Sequence, residues 1–446
     1  MANTHAAINP LLIATLTGEP LSGIPHIPTV KWLPGKLAKL IAKHKKKISP
    51  PFEANKMMLI CGHCGRKGQY DLGLIAFNVG HGQSNSQDQH ESMFDHIQTT
   101  GYFRCKQCNG AGLWETKDPF LLLSWLLKAT AGEEEDSSSF MIGQIQLYDG
   151  TTPRWATDAE DNFLKKLGEN SQDGYLWNRL GNLYSKGGRP ELATAAYEKS
   201  IEVDPTQVES HYSLGQLLIE VDEPEAAAYH YRMMLIYARN YTKLPILDLR
   251  KMLAIGLWHS FDIHMKSGHN IPFIPIKEEI EALDSFKEAA AGAEHQILEL
   301  QDLEVFPDDP ESFYPIAEMY LGPRKEEIPP SERTLDTYLR RAKQGGMKPA
   351  SDRLATPLGK GDNSIVAYVR SEERAGKILR LCDRYGLPCI VEINYMEDLS
   401  DLRKALMQKL TPSNVYASCP CGSGQKFKFC CAAKLKHFDL EQWIGE

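Results

Sequence analysis

The chain has 446 residues, of which 42% are hydrophobic, which is enough to form the cores of about three domains. Its longest apolar run, residues 120–127, is far shorter than the roughly 20 residues of a membrane span, and the N-terminus lacks the layout of a signal peptide. We therefore expect a cytoplasmic protein. The net charge is −8, but the first 70 residues carry +8 and the remainder −16, which indicates an anionic partner near the N-terminus.

The N-terminal segment combines prolines with a basic stretch. Prolines at positions 10, 20, 25, 28 and 34 predict an extended arm over 1–35. A basic amphipathic helix is predicted over 36–48, and two interpretations of it stay open. It contacts RNA phosphates or an acidic surface, or it is a capping helix whose lysines extend into solvent. The residues assigned to an anionic partner are Lys36, Lys39, Lys43, Lys45, Lys46 and Lys47.

Two CxxC motifs follow, Cys61 with Cys64 and Cys105 with Cys108. Each motif presents two thiolates from one tight loop, and two such loops form a tetrahedral four-cysteine site. Apolar runs at 70–77, 101–105 and 113–115 predict strands, and the whole pattern resembles a zinc ribbon. A site with four protein ligands has no open position, so we expect a structural metal. The polar loop over 80–100 contains three histidines, which form a second metal site or have no metal-binding role.

The same spacing of large and small residues occurs twice in 174–241, at a period of 34. The first copy carries Trp177, Leu180, Gly181, Tyr184, Ala193, Tyr197, Ser200 and Pro205. The second keeps Leu214, Gly215, Ala227 and Tyr231, but has His211, Leu218 and Arg239 in place of Trp, Tyr and Pro. This spacing resembles the tetratricopeptide repeat, and the alternative is two unrelated helical hairpins. Because two repeats cannot bury their own ends, helices at 158–168 and 246–266 are predicted to cap the stack.

The resemblance implies a concave groove that binds an extended or helical peptide. The residues that would line it by the register of the family are Tyr175, Asn178, Asn182, Lys186, Glu209, Tyr212 and Gln216. The surface lacks the dense basic set that clamps a C-terminal carboxylate, so that ligand type is not predicted.

The C-terminal half begins with helical patterns over 276–300 and 311–347, followed by a linker over 348–363. Residues 364–410 then alternate strand and helix patterns, which predicts a small β-α-β-α unit. Right-handed crossover makes its strands, 365–369 and 389–393, parallel.

The chain ends on a CxC motif followed after eight residues by CC. This pattern resembles the SEC-C motif, found in the tail of the SecA preprotein translocase ATPase and in many bacterial proteins. The resemblance implies a zinc ion held by Cys419, Cys421, Cys430 and Cys431. Gln425 and Ala432 depart from the usual Lys and Gly of the family. In SecA the motif contacts a chaperone and the ribosome.

The predicted fold class is multidomain and mainly α, with an N-terminal zinc ribbon, a central helical-repeat solenoid and a C-terminal β-α-β-α unit with a SEC-C zinc knob. The chain contains no GxxxxGK[ST], HExxH or GxSxG motif. We therefore expect a non-enzymatic adaptor that binds two Zn²⁺ ions and a protein or peptide, with the ribosome or the translocation machinery as second partner. The alternative is a nucleic-acid-associated factor. The predicted segments are 1–56, 57–150, 151–270, 271–347, 348–363, 364–411 and 412–446.

Overall fold

The structure is a computed structural model. It describes residues 8–78, 93–116, 118–131, 139–281, 305–306, 309–336, 365–369, 372–393, 399–412, 414, 416–421, 423–436 and 440–445. The chain divides into two compact units, unit 1 over 1–337 and unit 2 over 338–446. The predicted linker 348–363 lies outside the described residues, as do most of the predicted helix 276–300 and most of the loop 80–100.

Unit 1 is mainly helical. Its helices are α1 (Pro10–Thr17), α2 (Lys36–His44), α3 (Pro119–Ala131), α4 (Ala156–Glu169), α5 (Gly174–Lys186), α6 (Pro190–Val203), α7 (Val208–Glu220), α8 (Pro224–Tyr237), α9 (Ile246–Lys266), α10 (Lys277–Glu281) and α11 (Tyr314–Tyr320). Its strands are β1 (Lys56–Cys61), β2 (Lys67–Asp71), β3 (Ile75–Phe77), β4 (Ile97–Thr99), β5 (Trp114–Thr116) and β6 (Phe140–Ile142).

The N-terminal segment is not the extended arm that its prolines predicted. Pro10 occupies the first turn of α1, where a proline is tolerated because its missing N–H would have no helical partner. The Asn9 carboxamide oxygen caps this helix by accepting from the Leu11 N–H at 3.0 Å. Leu12 and Ile13 are fully buried in the same core as the repeat helices. The segment is therefore part of unit 1.

The strands form two small sheets. In one, β1 pairs antiparallel with both β2 and β5. In the other, β3 pairs antiparallel with β4 and parallel with β6. The strand predicted over 101–105 is wrong: the chain there is irregular, because the Tyr102 N–H bonds to the Gly187 carbonyl at 3.0 Å and its ring enters the repeat core.

Helices α4–α9 form the stack, in which α5 and α6 make the first pair and α7 and α8 the second. The predicted capping helices are present as α4 and α9. The two repeat glycines face tyrosines of their own pair. A methyl group at Gly181 would lie 2.3 Å from a ring carbon of Tyr197, and one at Gly215 would lie 2.7 Å from Tyr231. The glycines therefore permit close packing within each pair.

Residues 309–336 pack against α9, the last helix of the stack. Phe313 is fully buried in the repeat core, and helix α11 packs against α9. The Arg250 guanidinium on α9 bonds to the buried Glu318 carboxylate on α11 at 3.0 Å. The same carboxylate accepts from the backbone N–H of Thr334 at 3.0 Å and of Leu335 at 2.7 Å. These bonds attach residues 309–336 to the stack.

Unit 2 contains strands β7 (Ile365–Val369) and β8 (Cys389–Ile393) and helices α12 (Glu372–Tyr385), α13 (Ser400–Leu410), α14 (Cys431–Lys436) and α15 (Leu440–Gly445). The two strands are parallel, as predicted. Phe427 and Trp443 are buried in one core with the β-α-β-α residues, so the C-terminal motif and the preceding unit pack together. No helix in the described part of the chain has both the length and the apolar character required to cross a bilayer.

Candidate metal centres and repeat groove

The first four-cysteine cluster lies at the end of β1. Its Sγ atoms all fall within 4.8 Å of one another, with 3.7 Å between Cys61 and Cys108 and 3.6 Å between Cys64 and Cys105. A tetrahedral ion with metal–sulfur bonds of about 2.3 Å requires sulfur–sulfur separations of about 3.8 Å. The four side chains therefore fit one metal ion.

The two CxxC loops share one backbone design. The Gly65 N–H bonds to the Cys61 carbonyl at 2.8 Å, and the Asn109 N–H bonds to the Cys105 carbonyl at 2.9 Å. Both turns require a positive φ, which is 68° at Gly65 and 55° at Asn109. Gly and Asn are the residues that adopt this conformation most readily.

The second cluster is formed by the C-terminal cysteines. The Sγ atom of Cys421 lies 3.3 Å from that of Cys419 and 3.5 Å from that of Cys430. The Sγ atoms of Cys430 and Cys431 are 3.8 Å apart. All four sulfurs fall within 4.8 Å of one another, so they also could hold a metal ion. The Cys419 N–H bonds to the Gln425 carbonyl at 2.7 Å, which closes the loop between the two pairs.

Two phenylalanines lie between the cysteine pairs of the second cluster, and they differ in exposure. Phe427 is buried in the core of unit 2, whereas Phe429 is 69% exposed. The Lys428 ammonium donates to the Tyr416 hydroxyl at 2.9 Å and lies against the Phe429 ring. Lys426 is exposed.

A buried carboxylate joins the N-terminal segment, the irregular segment before Cys105 and the repeat stack. Glu160 on α4 is fully buried and accepts from the hydroxyls of Tyr102 at 2.8 Å and Tyr184 at 2.6 Å. It also accepts from the Arg104 guanidinium at 2.8 Å and the Asn9 amide at 2.9 Å. Burial raises the pKa of Glu160, and Arg104 opposes that shift. The four partners come from three parts of unit 1, because Tyr102 and Arg104 belong to the same segment.

The second CxxC loop also binds the N-terminal segment. The Asn109 amide donates to the carbonyls of Ile8 and His26, each at 2.8 Å. The His26 Nε2–H donates to the Cys108 carbonyl at 2.8 Å. A metal-binding loop and the N-terminal segment therefore support each other.

The predicted groove residues are in part exposed on α5 and α7. Tyr175 is half-buried, with the cations of Arg179 at 4.7 Å and Lys243 at 5.5 Å from its ring centre. Asn182 is half-buried, and its side-chain oxygen accepts from the Tyr197 hydroxyl at 2.7 Å. Lys186 is exposed.

The groove residues Tyr212 and Gln216, one turn apart on α7, pair with each other. The Gln216 amide donates to the Tyr212 hydroxyl at 2.7 Å, and both side chains are half-buried. Burial raises the pKa of Tyr212 to about 12. Both side chains keep part of their surface accessible to a ligand.

Two of the groove assignments need correction. Asn178 is fully buried, and its amide donates to the Ser210 hydroxyl at 2.8 Å, which links α5 to α7. Glu209 is 6% exposed, forms an ion pair with Arg179 and accepts from the Tyr241 hydroxyl at 2.6 Å. Both side chains hold the stack together, so we exclude them from the groove.

The basic helix packs against α6. The Glu198 carboxylate on α6 accepts from the backbone N–H groups at the start of α2, at 3.1 Å for Leu37 and 2.9 Å for Ala38. Lys45 approaches the buried Glu191 at 3.9 Å, and Lys47 pairs with Asp222 at 2.5 Å. The lysines that remain exposed without these pairings are Lys36, Lys39, Lys43 and Lys46.

His211, which stands where the repeat prefers Trp, forms a buried pair with His230 of α8. Their Nδ1 atoms are 3.0 Å apart, and the His211 Nε2–H donates to the Pro205 carbonyl at 3.1 Å. His211 Nδ1 is therefore the acceptor and His230 Nδ1–H the donor. Burial lowers the pKa of His211 to about 4 and that of His230 to about 3.

This pair predicts an acid-sensitive repeat. Because both folded-state pKa values lie below the ordinary 6.5, the stabilisation is present above pH 6.5 and is lost as the pH falls towards 4. Replacing His230→Gln should make the fall in unfolding free energy between pH 7 and 5 shallower, by up to about 1.4 kcal/mol per pH unit. Urea unfolding at several pH values measures this dependence of the unfolding free energy on pH. An unchanged slope in His230→Gln contradicts the account.

Sequence reasoning missed Glu160 and Arg179, although one of them left a signal. Glu160 occupies the same helical face as Phe163, Leu164 and Leu167, so a charged residue stands in an otherwise apolar stripe. Such a residue requires buried partners. Arg179 gave no comparable signal, because its partner Glu209 lies 30 positions away.

Comparison with known proteins agrees with this architecture. Family models of the tetratricopeptide repeat match residues 174–207 and 196–228, and a model of the SEC-C motif matches residues 417–433. A peroxisomal targeting signal receptor of Candida albicans is 37% identical over 70 residues, which is 16% of this chain and 12% of that protein. The chain thus spans a small part of the length of this relative. It contains two tetratricopeptide repeats and a C-terminal SEC-C motif.

Proposed function

We propose that this protein is a non-enzymatic adaptor that binds a protein or peptide through the repeat groove and a second partner through the SEC-C motif. The observation that carries the proposal is the presence of both elements in different compact units of one chain. Repeat stacks of this kind present concave surfaces to their ligands. The related receptor is named for recognising a targeting signal, which supports a protein partner for the repeats.

The adaptor proposal includes two structural Zn²⁺ ions. The sulfur separations in both clusters fit a tetrahedral ion, and thiolate ligands favour zinc in sites of this kind. When bound, each ion would link two cysteine pairs that no disulfide connects. Elemental analysis of the purified protein should find about two zinc ions per chain. The double variants Cys105→Ser/Cys108→Ser and Cys430→Ser/Cys431→Ser should each contain one zinc ion fewer. Iron in place of zinc contradicts this assignment.

The second partner proposed for the SEC-C motif is the ribosome or the translocation machinery. This proposal rests on the resemblance to the SecA tail and on the exposed Lys426 and Phe429 beside the cluster. Co-sedimentation with ribosomes at low and moderate salt tests it, with Cys430→Ser/Cys431→Ser for comparison. Binding by the wild type that the variant loses supports the proposal. Absence of binding by the wild type contradicts it.

A nucleic-acid-associated factor is the second candidate, and the observation that favours it is the exposed set of lysines on α2 and in the turn that follows it. Replacing Lys36, Lys39, Lys43 and Lys46 together by Gln should weaken the binding of single-stranded RNA. The slope of the logarithm of the binding constant against the logarithm of the salt concentration should then become smaller in magnitude by about 3. Exposed Lys165 and Lys404, replaced in the same way, serve as the control. RNA binding that is unaffected by the four replacements excludes this candidate.

A further inference from the structure

A pocket of about 430 Å³ lies where strand β4 and the segment 145–148 meet the repeat stack. One side is formed by Thr99 and Thr100 and by the segment 145–148, and the other by α4 and α5, with Ser213 of α7. Its volume falls within the range of about 300–1,000 Å³ that is usual for ligand pockets. Every wall belongs to unit 1.

The wall formed by 145–148 is fixed by hydrogen bonds. The buried Gln98 side chain accepts from the Ile145 N–H at 2.8 Å and donates to the carbonyls of Ile145 at 3.0 Å and Pro153 at 2.9 Å. Beyond it, the Leu147 N–H bonds to the Thr151 carbonyl at 2.8 Å. Tyr148 stacks on Phe163 of α4 at 5.8 Å. The pocket is therefore preformed.

The chemistry of the lining is apolar with a positive edge. Leu147, Trp155 and Phe163 supply apolar surface. Among the described residues that line the pocket, two are charged, Arg179 and Lys186, and both are cationic. Arg179 is neutralised by Glu209. Lys186, in contrast, is exposed and has no ion pair among the described residues.

The hydroxyl of Thr99 does not add to this recognition surface. Thr99 lines the pocket, but it is 5% exposed and its hydroxyl oxygen is shielded from solvent. The pocket therefore offers an apolar volume and one ammonium group that has no ion pair among the described residues.

We infer that this pocket binds a peptide through one bulky apolar side chain, with an adjacent Asp or Glu of that peptide contacting Lys186. The inference rests on the proposed peptide-binding function and specifies its ligand. A peptide fits better than a free small molecule because Asn182, Lys186 and Ser213, on the groove-bearing helices α5 and α7, remain partly or fully exposed at this pocket. The chain can then continue along the groove while one residue is buried.

The test is selection from a random peptide display library on the full-length protein. The wild type should enrich peptides with Phe, Trp or Leu next to Asp or Glu. Lys186→Glu should remove the acidic preference and weaken binding of a selected peptide at least tenfold, whereas Lys165→Glu on the exposed surface of α4 should leave both unchanged. Ser213→Phe should reduce the preference for a bulky side chain by filling the pocket. Ser213 lies beside Tyr197 of the repeat core, so a bulky residue there also disturbs the packing of the stack. Leu183→Ala therefore serves as a second variant, which enlarges the pocket and should favour larger ligand side chains.

The outcomes separate this inference from the function on which it rests. A consensus that Lys186→Glu and both size variants leave unchanged overturns the pocket assignment but retains a peptide-binding stack. No consensus from the wild type overturns the assignment together with the peptide-binding function. 3-Phenylpropionate provides the remaining comparison: if it competes at the same concentration as the selected peptide, the ligand is a free apolar carboxylate and the inference is wrong.

Discussion

Replacing Cys105→Ser and Cys108→Ser should lower the melting temperature of the whole of unit 1, by about 10 °C or more. Structural zinc sites contribute about 10–16 kcal/mol in small metal-dependent domains, so loss of the ion should unfold the two CxxC loops. Those loops carry the contacts of Asn109 to the N-terminal segment, and the residues before them enter the Glu160 network. Loss of the ion should therefore also destabilise α4 and α5, the first two helices of the repeat stack.

Differential scanning calorimetry with limited proteolysis of α4–α9 measures this effect. The matched control is Cys430→Ser/Cys431→Ser, which removes the other cluster. That variant should destabilise unit 2, whose core contains Cys419 and Cys431, and leave the repeat stack folded. A repeat stack that melts at the wild-type temperature without the first cluster contradicts the structural coupling.

Replacing Glu160→Ala should cost about 3–5 kcal/mol of unfolding free energy, because it leaves a largely buried guanidinium and several buried donors without an acceptor. The donors are Arg104, Tyr102, Tyr184 and Asn9. Glu160→Gln should cost less, since the amide retains an acceptor but cannot neutralise Arg104. Urea unfolding monitored by tryptophan fluorescence provides the measurement.

The control for this variant is Glu169→Ala at the exposed end of the same helix. It should change the unfolding free energy by less than about 0.5 kcal/mol. Equal effects of the two alanine variants would show that Glu160 does not join the parts of unit 1.

The elements that the sequence predicted correctly have short-range signals. The repeat helices follow from the spacing around Gly181 and Gly215, and each cluster of cysteines follows from paired motifs. The parallel strands of unit 2 follow from a crossover rule that needs only the order of strand and helix. In each case the residues that decide the structure lie close together in the chain.

The errors concern contacts between distant segments. The prolines of the first 35 residues favoured an extended arm, yet α1 is helical because Asn9 caps it and its apolar side chains pack into the repeat core. The run 101–105 has strand-forming residues, but Tyr102 bonds to Gly187 of the stack. Tertiary packing overrides local propensity in both segments.

The groove shows the same limit at the level of single residues. The register of the family identifies positions on the first helix of each pair, and of these Asn182 is half-buried and Lys186 is exposed. It could not show that Asn178 bonds to Ser210, nor that the segment 145–148 forms a wall of the pocket. Both depend on partners outside the helix itself.

The adaptor proposal is tested most directly by identifying which partners are lost when each binding surface is changed separately. Partners retained by the full-length protein from lysate would be quantified by mass spectrometry for the wild type, for Lys186→Glu and for Cys430→Ser/Cys431→Ser. The account predicts that the two variants lose different sets of partners and that each keeps the set lost by the other. Loss of the same set in both variants, or of none in either, would contradict it.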